Sequence, residues 1–423
     1  MKLQKRLVIP FIILMMLVLG VNYGWAAPKQ TAVKLAFFGG EVDKAATQKI
    51  FDQFTKENPD IKVDLIYIPA NDWPDYFTKI RTMIAGGNAP DLCRVAIEGV
   101  QMFTSLGLAQ PMDAFIKKNP KIVGDAFADI HPKLQAPFTV KGKTYGLVCE
   151  WNNNVIHFNT KLLREVGLEV PAESWNKETF LEYCKKLTKT VNGKPQYAVA
   201  IPNYYFGVEA WLYANGAAIL NANMTKCTLN QPKAVEIFQL WKDLIYKYKY
   251  APFPDPNVNQ IQQLIDGQVA MGTWGRWPLQ SYVSNNFSDV AVQYLPKFSS
   301  KNDVVFGSAA FCVLKSSKHR DEAMRTAVWT AGKYFVKNFY GLGSIPARRS
   351  VASEVIPAAG LPKNYDLYYK SADFAKGVQS PVQYPEVANV LDRYLTAALS
   401  NQMEVQEAMN KATAEINAVL AKK

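Results

Sequence analysis

The sequence predicts an α/β fold, with a mostly parallel sheet flanked by helices over its first hundred residues. Three observations carry that expectation. Short apolar runs of strand length, VKLAFF, IKVDLIYI and DLCRVAI, alternate with stretches whose apolar residues recur at helical spacing. The pairs Gly39-Gly40 and Gly86-Gly87 punctuate the changes. The alternation returns far downstream in QQLIDGQVAMGTWGRWP (262–278), where a short helix, a glycine stop and the run Val269–Met271 lead into a loop. At 423 residues the chain can hold two domains.

In chain order, the N-terminus comes away first. Lys2, Lys5 and Arg6 precede an apolar run from Leu7 to Leu19, and Gly24-Trp25-Ala26 has the small-x-small form of a cleavage site. Residues 1–26 therefore read as a secretory signal, since the run is shorter than the ~20 residues a spanning helix needs. No cysteine lies near the cut, so a lipid anchor is not indicated. The segment holds three bases and no acids, so the formal charge falls from +12 to +9 on cleavage (12 − 3). The remaining bases are scattered, with no block of nucleic-acid type.

The first strand, 33–38, breaks at Gly39-Gly40 before a helix expected to bury Val42, Ala45, Ala46, Ile50 and Phe54. IKVDLIYI (61–68) is the second strand, and Trp73, Phe77, Ile80 and Ile84 stripe the next helix. Beyond DLCRVAI, Gly142 and Gly146 bracket a hairpin-like turn, and Trp151-Asn152-Asn153-Asn154 forms an amide-rich break before the strand VIHF. Residues 159–190 read as two helices, the second capped by Ser174 or Asn176, and Asn192-Gly193 as a turn. QYAVAI ends at Pro202-Asn203-Tyr204-Tyr205-Phe206; the helix WLYA breaks at Asn215-Gly216, and Gln231–Tyr246 is strongly amphipathic. Gly272 to Trp277 is too rich in Gly and Trp to continue the Val269–Met271 strand, and Pro278 opens a new helix. DVAVQYLP and VVFGSAAFCVL are strands, with Gly307-Ser308 a kink or ligand contact, and the C-terminal third is helical.

Ligands of open α/β sheets sit beyond the carboxyl ends of strands. Gly40 and Glu41 follow the first strand, Glu98 the third, and Trp274, Gly275, Arg276 and Trp277 the downstream one. Indole faces and a guanidinium suit a flat polar molecule; the bland alternative is that both tryptophans pack a turn. Amides such as Asn152 and Asn153 donate and accept at once, which suits hydroxyl-rich ligands, and they also favour turns. No phosphate loop, dinucleotide fingerprint, nucleophile elbow or HExxH helix is present. Three dispersed histidines give no metal site, and His157, inside a strand, reads as a satisfied core residue. Five cysteines form no CxxC pair; Cys93 and Cys312 read as buried thiols, while disulfide pairing stays open.

Nearly the whole chain after residue 26 resembles the carbohydrate-type extracellular solute-binding proteins of ABC importers, the maltose-binding-like branch. The residues carrying this are LAFFGG, AGGNAPDL, SLGLAQPMDAFI, GKTYGLVCEWNNNVIHFNTKLLREVGL, DGQVAMGTWGRW and GLGSIPAR, in that order. The resemblance implies two α/β lobes, 27–147 with 295–343 and 148–294 with 344–423, joined by three crossings near 146–149, 294–295 and 344–346. It implies a ligand held between them by Gly40, Glu41, Glu98, Trp151, Asn152 or Asn153, Tyr204, Tyr205, Trp211, Trp274, Gly275, Trp277, Ser308 and Arg348. It further implies a periplasmic monomer that passes a sugar to the transmembrane permease subunits, with no cofactor, metal or nucleic acid. Arg276 and Arg348 leave an anionic solute such as a polyol phosphate as an alternative. Glu41, Glu98 and Glu150 leave a carboxylate-pair glycoside hydrolase as another.

Overall fold

The computed structural model describes residues 30–39, 44–70, 72–300, 303–341 and 343–422. The signal segment, Gly40, Glu41 and Val42 lie outside the described residues. The strands in chain order are β1 (Thr31–Phe38), β2 (Ile61–Ile68), β3 (Leu92–Ala96), β4 (Thr139–Val140), β5 (Lys143–Thr144), β6 (Val148–Asn153) and β7 (Val155–Asn159). They continue with β8 (Lys189–Val191), β9 (Lys194–Val199), β10 (Val269–Trp274), β11 (Val290–Gln293), β12 (Val305–Val313), β13 (Ile345–Pro346) and β14 (Lys376–Gly377).

Two large sheets result, each anchoring one lobe, beside a two-stranded pairing of β4 with β5. The first has the order β13-β6-β12-β3-β1-β2, with β14 also on β12; the second runs β11-β7-β10-β9-β8. The parallel arrangement expected from the opening alternation holds for β1 with β2 and β3. Beyond them the first sheet is mixed, because β12 returns antiparallel to both β3 and β6 after the chain has built the second sheet. The first crossing, expected at 146–149, falls instead at Asn154, since Val148–Asn153 is bonded into the first sheet and Val155–Asn159 into the second. The second lies between Gln293 and Val305. The third lies beyond Pro346, for β13 still pairs with β6 whereas Lys363 bridges Ala291 of β11.

Local chemistry explains most elements. Asn176 caps the helix Lys177–Leu187 by accepting from the Thr179 amide, and Asn192-Gly193, both at positive φ, close the β8–β9 hairpin. The helix Lys44–Glu57 departs from expectation: it buries Thr47, Phe51 and Phe54, leaving Ala45 and Ala46 exposed. The phenyl rings carry more apolar area than the alanines, and Phe51 packs on Phe37 with ring centroids 6.2 Å apart. β10 likewise runs on through Trp274 instead of stopping at Met271. Gly272 is what permits this, since a Cβ there would stand 2.1 Å from the Trp274 ring. β6 continues through Trp151, Asn152 and Asn153, so only Asn154 breaks the chain.

Close approach also fixes Gly99, where a Cβ would sit 2.5 Å from the ring of the buried Phe77. Gly99→Ala is expected to cost about 2 kcal/mol by overpacking. Phe77 stacks on Trp73 at 5.5 Å, so the displaced ring would carry Trp73 with it. Urea unfolding checks this; a midpoint unmoved from the parent protein would show that the Phe77 ring yields freely.

Candidate functional site

A cleft of about 670 Å³ opens between the two sheets. Phe38 at the end of β1 and Ala96 at the end of β3 bring the carboxyl ends of parallel strands to its floor. From the first lobe it receives Asp72, Trp73, Arg94, Glu98 and the β6 residues Glu150, Trp151 and Asn152. The second lobe contributes Asn203, Tyr204, Tyr205, Trp274 and Trp277, and the C-terminal helix Tyr384–Leu399 adds Tyr384, Asn389 and Asp392.

Arg94 and Glu150 form an ion pair on the floor. The guanidinium is sandwiched between rings, 5.4 Å from the Trp73 centroid and 5.6 Å from that of Tyr340, which fixes its plane. Beside them Glu98, in the first turn of the helix Ile97–Ser105, is 3% exposed. Burial pushes its carboxyl up to about 7. Its Oε2 has no hydrogen-bond partner in the protein, and the same holds for Glu150 Oε2, Arg94 Nε and Trp151 Nε1. Buried polar atoms are normally paired, so four unpaired ones around one cleft make it the candidate site for a polar ligand.

The walls are aromatic. Tyr204 is held by its hydroxyl, 2.8 Å from the Thr273 carbonyl and 3.1 Å from Asn154 Oδ1, and packs edge-on against Trp277. The Tyr205 hydroxyl donates to the Gln379 carbonyl at 3.0 Å. Trp274 is buried with its edge toward His157, which fits packing and cleft lining together. Asn152 Oδ1 accepts the Arg276 amide at 2.9 Å. A Cβ on Gly275 would meet both Trp277 and that Asn152 oxygen, so the glycine lets wall and floor touch.

Of the residues offered by the sequence, Glu98, Trp151, Asn152, Tyr204, Tyr205, Trp274, Trp277 and Ser308 come together on this cleft. The Ser308 hydroxyl is already spent on the Leu134 carbonyl. Five others stand off the lining. Asn153 donates to Ser371 and the Tyr368 carbonyl, and Trp211 is fully buried with Nε1 on Thr273. Gly275 lies behind Trp277. Arg276 gives its guanidinium to the carbonyls of Tyr340, Gly341, Gly343 and Ser344. Arg348 binds the Ala331 carbonyl and Asp125, on a separate groove. Trp73, Arg94, Asn203, Tyr384 and Asp392 belong to the cleft without having been singled out for it.

His157 is a core residue, as expected. Its Nε2 lies 2.9 Å from the Gly275 carbonyl and its Nδ1 2.9 Å from the Tyr282 hydroxyl, and burial lowers its pKa to about 3. All five cysteines are buried and free, Cys93 standing opposite Cys312 in the β3–β12 pairing. Among the described residues no group of His, Cys, Asp and Glu could hold a metal ion, and no helix is long and apolar enough to cross a membrane.

Two sheet-based lobes with a polar-floored, aromatic-walled cleft between them define a protein built to enclose a small polar solute. The chain belongs to the bacterial extracellular solute-binding protein family, whose model matches residues 39–333. A binding protein of Brucella abortus (strain 2308) is 21% identical over 406 residues, covering 89% of this chain and 90% of its own length. The maltotriose-binding protein of Pyrococcus abyssi is 23% identical over 296 residues, covering 69% of this chain and 59% of its own. The solved structure of an ABC substrate-binding protein from Listeria monocytogenes in complex with cycloalternan superposes with a TM-score of 0.83 at 23% identity, covering 93% of this chain and all of that one.

Proposed function

We propose that this protein captures a mono- or oligosaccharide in the inter-lobe cleft and delivers it, as a monomer, to the membrane subunits of an ABC importer. It is exported after cleavage behind Ala26 and performs no chemistry on its cargo. The observation that carries the reading is the pairing of unsatisfied buried polar atoms on the floor with aromatic faces on the walls. Sugar rings match both, offering hydroxyls along the edge and C–H groups on the face. Relatives that bind maltotriose and cycloalternan support a carbohydrate. The anionic alternative loses its motive, since Arg276 and Arg348 are consumed by the protein itself away from the cleft. The lobes are proposed as before, with the first boundary moved from 147/148 to Asn154 and the third from 343/344 to beyond Pro346. Because both lobes line the cleft, ligand affinity is coupled to their closure.

The test is a thermal-shift screen of the mature protein, refolded free of carried ligand, against neutral sugars, sugar acids, polyols and sugar phosphates. A ligand specific to the folded state stabilises it by about 2.7 kcal/mol at a hundredfold excess over its Kd. Trp73→Ala and Trp277→Ala are each expected to weaken a sugar hit between about tenfold and a hundredfold, or 1.4–2.8 kcal/mol. Hydrolysis of the recovered sugar would replace this reading with the glycosidase. Response to phosphates alone would replace it with the anionic solute.

A further inference from the structure

We infer that the cleft selects a carbohydrate bearing a protonated amino group, an amino sugar or aminated oligosaccharide, and rejects sugar acids and phosphates. This rests on the carbohydrate reading above and deepens it.

Charge carries the argument. The chain as a whole is basic, with 48 Lys and Arg against 36 Asp and Glu. The cleft reverses that sign. Four carboxylates line it, Asp72, Glu98, Glu150 and Asp392, against a single cationic side chain among the described residues, Arg94. Arg94 is already committed to Glu150. Three carboxylates are left without a counter-charge on the cleft wall.

All three line the same cleft. Asp72, the N-cap of the helix Trp73–Ala85, stands on the first-lobe rim and spends Oδ1 on the Asp75 amide. Asp392 projects from the helix Tyr384–Leu399, which packs against the helix that Asp72 caps. Glu98 lies on the floor with Oε2 unpartnered at 3% exposure. Two bases on the same helices carry other ion pairs, Lys79 with Asp75 and Arg393 with Glu415, although the Lys79 charge also acts on Asp72. Partial burial raises the pKa of Asp72, and that of Asp392 is raised by burial and by repulsion from Asp72, so the two carboxylates on these packed helices sense each other. Neutral hydroxyls can hydrogen-bond a carboxylate, whereas a cationic ligand group also offsets such repulsion.

The experiment is isothermal titration of the mature protein at 150 mM salt with matched disaccharides. Gluco-, galacto- and manno-configured pairs are each supplied with a hydroxyl, a free amine, an N-acetyl group or a carboxylate at the same position, with spermidine as a non-sugar cation. The expected result is binding of a free-amine form at least tenfold tighter than its hydroxyl and N-acetyl counterparts, with no binding of the carboxylate. Asp72→Asn with Asp392→Asn should bring the amine form down to the affinity of its hydroxyl counterpart in the same variant. Glu98→Gln should weaken the amine form at least tenfold. A neutral or acidic form binding as well as the amine overturns the inference and leaves the carbohydrate reading standing. Spermidine binding with no sugar binding in any form overturns the carbohydrate reading and leaves the charge selection. Silence from the whole panel overturns both.

Discussion

Arg276→Met is expected to lower the unfolding free energy by about 4 kcal/mol. The guanidinium is fully buried and has no carboxylate partner among the described residues, an arrangement that would ordinarily be prohibitive. Here its counter-charge is built from dipoles. Tyr340 and Gly341 supply carbonyls at the C-terminus of the helix Lys333–Tyr340, the negative end of its macrodipole, and Gly343 and Ser344 add two more. Burial still depresses the side chain, to about 10, so it remains charged at neutral pH. Methionine would fill the space and leave four inward carbonyls without a donor. A buried acceptor left unsatisfied costs about 1–3 kcal/mol, so four of them at the low end of that range put the loss near 4. The contact also ties the loop after β10, in the second sheet, to residues just before β13, in the first. Arg276→Lys should recover less than half the loss, because a compact ammonium cannot serve four carbonyls that a planar fork reaches. Urea unfolding of the three proteins decides it; a loss below 1 kcal/mol for the methionine variant would mean that the carbonyls find other donors.

The same residue shows where reading from sequence stops. A strand end carrying Trp-Gly-Arg-Trp is visible as a candidate ligand loop, and Trp274 and Trp277 do line the cleft. Whether the arginine between them faces a ligand or a distant helix end depends on residues 340–344, which no local pattern connects to it. Glu98, Tyr204 and Tyr205 were legible because they immediately follow strands, where the topology places any site. Arg94 was not, although it sits in a strand that was recognised. Its partner Glu150 comes from β6, and only the pairing of both strands with β12 brings the two near each other. Trp211 failed in the opposite way. The helix Tyr205–Ala214 is buried on every face, so periodicity cannot say which side meets the cleft. Tyr384 and Asp392 reach the cleft because the last-but-one helix packs against the helix Trp73–Ala85 of the first lobe, a contact across most of the chain. Elements set by neighbours in sequence are readable; the partners of buried charges are not.

Glu98→Gln is expected to reverse the usual effect of altering a buried floor residue and to stabilise the empty protein, by about 3 kcal/mol at pH 8. Burial lifts the folded-state carboxyl from 4.5 to about 7, so between those values the folded protein holds a proton that the unfolded chain has released. The stability tied to that proton is complete below pH 4.5, declines as pH rises through 4.5 to 7, and is gone above it. A shift of that size corresponds to about 3 kcal/mol. Glutamine cannot ionise, so the variant's advantage should be small at pH 4 and grow to its full value by pH 8. His157 slopes the other way: its folded pKa of about 3 makes stability rise with pH up to about 6.5 in parent and variant alike. The difference between the two proteins therefore isolates Glu98, measured by urea unfolding at pH 4, 6 and 8. A difference that does not change with pH would mean the carboxylate is solvated or paired in solution. If it grows as expected, the empty cleft carries an ionisable group at a cost to its own folding, and a cationic ligand that neutralises Glu98 at pH 8 should stabilise the parent more than the glutamine variant.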